Sequence, residues 1–206
     1  MVDQHLRRRN IRDERVLEAM AAIPRELFMP EDVRSGAYDD EPAPIGHGQT
    51  ISQPYMTALM AQALRLRGTE TVLEVGTGAG YHAAVLAMLA SRVVTIELVP
   101  ELADAARRNL ETAGLSDRVL VVTGDGSIGY PSGAPYDAIS VAAAAPRAPD
   151  CLLEQLRDGG RLVIPVGSLE EQDLLVITRS GGKTKTKTAA RCRFVPLRGG
   201  EGWKLS

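Results

Sequence analysis

The stretch Val72-Leu73-Glu74-Val75-Gly76-Thr77-Gly78-Ala79-Gly80 constrains the fold more than any other. An apolar run over Thr71–Val75 reads as a buried strand. It passes directly into three glycines in five positions, and then into a helical pattern over Ala79–Ala90. Such a bend needs positive φ and close backbone approach, and glycine permits both. In open α/β sheets, ligands bind at the carboxyl ends of strands. The bend is therefore a tight connection and a candidate ligand cradle at once.

A rhythm follows it. Strands are expected at Val93–Glu97, Val119–Thr123, Tyr136–Ala142 and Arg161–Val166, with helices at Pro100–Ala113 and Pro149–Arg157. Strands alternating with helices imply a mostly parallel central sheet with helices on both faces. Each strand is apolar throughout, as burial on both faces requires. Asp173–Arg179 and Thr184–Leu197, joined around Gly181–Gly182, read as a C-terminal antiparallel hairpin. Upstream, residues 1–30 read as an N-terminal helical cap broken at Pro24 and Pro30. Residues 31–51 are turn-rich, and a helix should run from Pro54 to Arg65.

With 206 residues and no linker or repeat, one domain is expected. It divides into residues 1–53 as cap and substrate loop, 54–166 as the cofactor-binding core, and 167–206 as the hairpin and substrate-side segment. A net charge of -2 gives no global pull toward nucleic acid or anionic membranes. Cys151 and Cys192 are too few and too far apart for a disulfide framework or a metal site. Arg7–Arg9 are followed by no apolar signal region, and no run reaches membrane-spanning length. A cytoplasmic monomer, with no metal and with neither membrane nor nucleic acid as partner, is the expectation.

The ligand at the glycine bend can be narrowed. A dinucleotide fingerprint wants G-x-G-x-x-G, but here the third glycine falls one position early and Tyr81 stands in its place. Following the acidic Glu74, the bend suits a ligand without phosphate. S-adenosylmethionine is one, and its ammonium and sulfonium both favour a nearby carboxylate. Glu97 ends the next strand, placed to accept from ribose hydroxyls. Gly124-Asp125-Gly126 follows the third strand. There Asp125 could accept from an adenine amino group, or merely make an Asp-Gly turn. Neither feature separates a methyltransferase from a dehydrogenase.

Gly46-His47-Gly48-Gln49-Thr50-Ile51-Ser52-Gln53-Pro54-Tyr55-Met56 is more specific. Together with Val72–Gly80, Gly124–Gly126, Pro135–Ile139 and Phe194–Leu197, it resembles the protein-L-isoaspartate O-methyltransferase family over nearly the whole chain, to Trp203. The resemblance implies a Rossmann-like class I methyltransferase fold that uses S-adenosyl-L-methionine and releases S-adenosyl-L-homocysteine. It implies repair of isoaspartyl-containing peptides and proteins by methylation of a free α-carboxylate. It implies that Ser52, which matches the family's active-site serine, contacts substrate. Gln49, Thr50, Ile51, Thr57, Glu74, Gly76, Gly78, Gly80, Glu97, Asp125 and Gly126 match cofactor-binding positions. Val195 and Pro196 fall in the segment whose backbone grips the substrate peptide. Beyond Leu197 family members vary.

Other readings remain open at this level. Ser52, before Gln-Pro and a helical pattern, would also make a good helix N-cap. His47, between two glycines, reads as solvent-facing, and neither His82 nor His5 has a catalytic neighbour in sequence. For a methyltransferase acting on nucleic acid or a small molecule, Arg7–Arg9 with Lys183, Lys185, Lys187, Arg191 and Arg193 could form a basic patch. The alternation of the lysines with threonine fits a solvated edge strand better. A cofactor-binding regulatory domain would not need the Gly46–Met56 stretch, while a relative specialised for aspartate in one peptide would keep it. No nucleophile elbow, Cys/His pair or metal cluster is present in sequence. An already ionised carboxylate and an activated methyl need none.

Overall fold

The computed structural model describes residues 1–204; residues 205–206 lie outside the described residues. Seven strands form the main sheet: β3 (Thr71–Val75), β4 (Arg92–Glu97), β5 (Val119–Thr123), β6 (Tyr136–Val141), β7 (Leu156–Gly167), β8 (Gln172–Ser180) and β9 (Lys183–Cys192). Their order is β5-β4-β3-β6-β7-β8-β9. The first five are parallel, and β8 and β9 close the edge antiparallel. From β3 the chain winds outward to β5, then returns to place β6 on the other side of β3. The reversal puts a crevice above the carboxyl ends of β3 and β6.

Alternation along the strands separates two apolar layers. Val72 and Val93 face α1 (Glu14–Ala22), α2 (Pro54–Leu64), α3 (Tyr81–Leu89) and part of α4 (Pro100–Thr112). Leu73, Val75, Val94 and Ile96 face the opposite way. Helices cover both faces, as expected, but unevenly: among the described residues the second face carries the five-residue α5 (Asp150–Glu154), short 3₁₀ turns and the C-terminal segment through Leu197. Each fully buried leucine of these layers contributes about 1.5–3 kcal/mol.

Several expected boundaries shift for local reasons. Residues 1–30, expected as a helical cap broken at Pro24 and Pro30, form α1 flanked by short π and 3₁₀ turns, with further breaks before α1. Asp13 starts α1 by accepting from the Arg15 amide at 3.1 Å. α5 stops at Glu154 because the Gln155 side chain takes the Tyr130 amide and the Ile128 carbonyl, and Leu156 already pairs with Tyr136. β9 ends at Cys192, since the Gln172 side chain captures the Phe194 amide at 2.8 Å and draws the chain off the sheet.

The turn-rich region before α2 holds a hairpin that the sequence pattern did not reveal. β1 (Ala43–Gly46) and β2 (Gln49–Ile51) are joined by His47-Gly48, both with positive φ, as two-residue hairpins favour. His47 is exposed.

Replacing Asp13 by Ala removes the α1 cap and is expected to cost about 0.5–2 kcal/mol, read as a lower urea midpoint at unchanged slope. An unchanged midpoint would show that α1 is held by packing alone.

Candidate active site

An open cavity occupies the crevice above β3 and β6. The bend Gly76–Ala79 forms its floor, with Glu97 ending β4 and Leu98 just after it, Gly126 after β5, and Ala142 and Ala143 after β6. Two distant segments supply the rest of the wall: Gln49–Ser52 with Thr57, and Val195–Arg198.

The bend is fixed by bonds to the neighbouring strand. The amides of Gly76 and Thr77 both donate to the Ile96 carbonyl, at 2.9 and 3.3 Å. Gly76, Gly78 and Gly80 all have positive φ, at 89°, 55° and 95°. The Glu97 carboxylate, only 6% exposed, accepts from the Gly78 amide at 2.8 Å and the Val99 amide at 3.0 Å. Each oxygen keeps acceptor capacity for a hydroxyl on the cavity side. Close packing also explains Gly126, where a Cβ would come within 2.7 Å of Val75 Cγ1.

Eleven sequence-predicted residues are brought together here: Gln49, Thr50, Ile51, Ser52, Thr57, Gly76, Gly78, Glu97, Gly126, Val195 and Pro196 all line the cavity. Three do not. Glu74 is fully buried beneath the bend, where the Thr95 hydroxyl donates to Oε2 at 2.5 Å. The Thr77 hydroxyl joins that of Thr95 at 2.6 Å. Since Thr95 spends its proton on Glu74, Thr77 is the donor in that pair. Glu74 thus anchors the bend from below and reaches the cavity only through this relay. His82 Nδ1 stands 3.2 Å from Glu74 Oε1, although the geometry is not that of a hydrogen bond and the oxygen has no partner among the described residues. Gly80 faces α4 instead, where a Cβ would meet Ala106 and Leu110 at 3.4 Å.

Asp125 is the third. Its Oδ1 accepts from the Ser127 amide at 2.9 Å and hydroxyl at 2.6 Å, and Oδ2 accepts from the Gly200 amide at 2.8 Å. Burial pushes this carboxyl up, but the Ser127 hydroxyl and the Gly200 and Ser127 amides together hold it below the ordinary range. Asp125 therefore tethers the C-terminal segment. The Glu201 amide on Ser127 Oγ at 3.0 Å and the Trp203 indole on the Ala144 carbonyl at 3.0 Å reinforce that tether.

Ser52 carries no capping duty. α2 starts at Pro54 with Gln53 as its cap residue and no side-chain capping bond. The Tyr55 amide is satisfied from outside the helix by Asp40 Oδ1 at 2.8 Å. On the opposite wall, Ala144 donates to the Val195 carbonyl at 2.8 Å and accepts from the Leu197 amide at 2.7 Å. Strand geometry then turns the Pro196 carbonyl to the free edge.

Sequence reasoning missed Met60, Thr77, Tyr81, His82, Leu98 and Arg198 on the cavity wall. Leu98 was the most findable, as an apolar residue after a strand-end acid, and it is 39% exposed. His82 lies eight positions after Glu74, and only the strand–bend–helix geometry brings the two together. No group of three or more potential metal-ligating side chains occurs among the described residues, and no helix among them is long and apolar enough to cross a membrane.

A glycine-floored crevice at the switch point of this sheet, with an antiparallel hairpin at one edge, defines the protein as a class I methyltransferase in fold. Comparison with known proteins narrows the class. A family model for protein-L-isoaspartate(D-aspartate) O-methyltransferase matches residues 1–202. A Methanoculleus marisnigri protein-L-isoaspartate O-methyltransferase is 52% identical over 99% of this chain and 92% of its own. A Marinobacter nauticus protein-L-isoaspartate O-methyltransferase 2 is 55% identical over 98% and 93%. Among solved structures, a protein-L-isoaspartate O-methyltransferase superposes with a TM-score of 0.85 at 29% identity, covering 98% of this chain and 67% of that one. A Plasmodium falciparum β-aspartate methyltransferase in complex with S-adenosyl-L-homocysteine gives 0.82 at 26%, covering 96% of both. The chain belongs to the protein-L-isoaspartate(D-aspartate) O-methyltransferase family.

Two outcomes follow from the geometry. Glu97→Ala removes an anchored pair of acceptors, each hydrogen bond to a charged group being worth about 1.5–3 kcal/mol. S-adenosyl-L-homocysteine affinity measured by calorimetry should fall by roughly tenfold or more, and unchanged affinity would remove Glu97 from the site. The Asp125 tether depends on an ionised carboxylate. Its folded-state pKa lies below the ordinary 3.8, so its stabilisation is fully present above that pH and is lost as pH falls through the lowered value. Hydrogen exchange should show the Gly200 amide protected at neutral pH and released in that acid window. Protection that persists there would assign the segment's order to other contacts.

Proposed function

We propose that this chain transfers a methyl group from S-adenosyl-L-methionine to the free α-carboxylate of L-isoaspartyl residues in damaged peptides and proteins. The observation that carries the reading is a single cavity joining the glycine bend, the Gln49–Ser52 stretch and the Val195–Leu197 segment. The residues fit the cofactor. Glu97 presents fixed acceptors to a diol, the glycine floor leaves room for close backbone approach, and Leu98 offers an apolar surface beside them. Gln49, Thr50, Ile51 and Thr57 would hold its other side, and Gly76, Gly78 and Gly126 would admit it.

When bound, S-adenosylmethionine supplies a methyl already activated on a sulfonium. The acceptor carboxylate, with an ordinary pKa of about 3.3–3.7, is ionised at neutral pH. The chain therefore needs neither a general base nor a nucleophile. Its work is orientation, which can lower a barrier by about 7–11 kcal/mol. Ser52 donates its hydroxyl to a carboxylate oxygen and fixes that oxygen's direction, making Ser52 the catalytic residue in this positioning sense. Val195 and Pro196 hold the peptide, with the Pro196 carbonyl turned to the free edge of the wall. The same reading makes the chain one methyltransferase domain, acting as a cytoplasmic monomer, with residues 1–53 as cap, 54–166 as core and 167–206 as the substrate side.

The test supplies labelled cofactor with paired peptides that differ only in an isoaspartyl or aspartyl linkage. Methylation of the isoaspartyl member alone is expected. Equal labelling of both, or of neither, would overturn the reading. Ser52→Ala should lower turnover by about 10²-fold if one oriented hydrogen bond is lost at the reacting oxygen. S-adenosyl-L-homocysteine affinity should stay nearly intact, and parallel losses in both would show that Ser52 belongs to the cofactor's binding instead.

A further inference from the structure

We infer that Arg25 is a positioning residue for the reaction, a buried guanidinium that sets the backbone of Ser52; the inference rests on the role proposed for Ser52. Arg25 opens a 3₁₀ turn over Arg25–Phe28 and has 0% exposure, the largest fully buried side chain among the described residues. Its Nη2 donates to the Ser52 carbonyl at 3.0 Å and to the Glu41 carbonyl at 3.3 Å, and its Nη1 donates to the Ala37 carbonyl. The guanidinium carbon lies 5.9 Å from the ring centroid of Tyr81, the residue that opens α3 after the glycine bend and lines the cavity. One side chain thus ties the cap, the Gln49–Ser52 stretch and the helix behind the bend.

The choice of residue is physically expensive. No carboxylate stands within 4.0 Å of Arg25 among the described residues, and its Nε has no partner. Burial lowers its pKa, opposed by Tyr81, Asp40 and Asp39. For stability alone, a well-packed apolar side chain commonly serves as well as a buried charge or better. An apolar group cannot bind carbonyls of the 37–41 turn and of Ser52 at once, and a guanidinium fork can. With the carbonyl of Ser52 held, the peptide plane that follows it is fixed, and with it the place from which the Ser52 side chain meets the cavity. A cation sealed from water is also weakly screened, so its field favours an anionic acceptor near Ser52.

Arg25→Lys keeps the charge and loses the fork; Arg25→Met loses both. For folded Arg25→Lys, kcat for an isoaspartyl peptide should fall by about tenfold or more, while S-adenosyl-L-homocysteine affinity changes by less than about threefold. Arg25→Met should fall further. If Arg25 acts through Ser52, adding Arg25→Lys to Ser52→Ala should cost less than about threefold more. Three outcomes overturn the inference: unchanged kcat in Arg25→Lys, losses that multiply with those of Ser52→Ala, or a parallel fall in cofactor affinity. Should neither variant fold, ¹⁵N resonances of the Arg25 guanidinium in the wild-type protein decide. They should shift on adding isoaspartyl peptide and not on adding S-adenosyl-L-homocysteine alone, and an indifferent guanidinium would refute the role. Wild-type protein inactive on isoaspartyl peptide would instead defeat the proposed function, which separates the two failures.

Discussion

The bend after β3 is the constraint on which the rest depends, and it is gripped from below so that it can stay open above. The Ile96 carbonyl takes two of its amides, Glu97 takes a third, and the Thr77–Thr95–Glu74 relay fastens its one hydroxyl to the sheet. These bonds consume polar groups that face β4. The floor is left with glycine backbone at Gly76 and Gly78 and only the small side chains of Thr77 and Ala79. A buried carboxylate is costly unless hydrogen-bonded, and Glu74 repays its burial by ordering the bend rather than by meeting a ligand. Its unpartnered Oε1, close to His82, shows that the compensation is incomplete.

Much of this was legible in the sequence because it follows from local chemistry. Apolar strands, Pro at the start of α4 and clustered glycines each have one physical use, and together they fix a parallel sheet and the position of its crevice. The Gly46–Met56 stretch located the second wall only through resemblance, since nothing in its own periodicity says that it folds as a hairpin over the bend. What could not be read was long-range pairing of polar groups. Glu74 looked like a ligand contact because it precedes the bend. Strand alternation alone could have warned that its side chain points below the loop, but not that Thr95 and His82 would be waiting there.

Asp125 illustrates the same limit at greater range. In sequence it is an acid at a strand end, equivalent in kind to Glu97. Their difference comes from what the chain does 75 residues later, when Gly200 arrives and donates its amide to Asp125. Two strand-end carboxylates of the same sheet thus have different assignments. Glu97 organises its own loop, whereas Asp125 ties the C-terminal segment to the loop after β5, and Oδ2 of Asp125, with one amide on it, keeps acceptor capacity as the Glu97 oxygens do. Arg25 is the complementary case, an arginine in a short turn whose partners are carbonyls 12, 16 and 27 residues away. Backbone acceptors leave no signature in composition, so no spacing rule would have found it.

These attachments give the two halves of the cavity different mechanical character. The floor is made of strand ends and a bend whose amides bond within the parallel sheet, and it can open only if the sheet does. The facing wall is made of two segments distant in sequence, with Ser52 held through Arg25 and Val195–Leu197 through Ala144. Elements held this way open at lower free energy than the core. On the proposed function that difference has a use. The cofactor is always the same molecule, so the floor beneath it gains from rigidity. The acceptor is a damaged residue in whatever sequence surrounds it, so the facing wall must be rigid only at the hydroxyl that meets the carboxylate. A buried fork on the Ser52 carbonyl gives that local rigidity without freezing the rest of the wall.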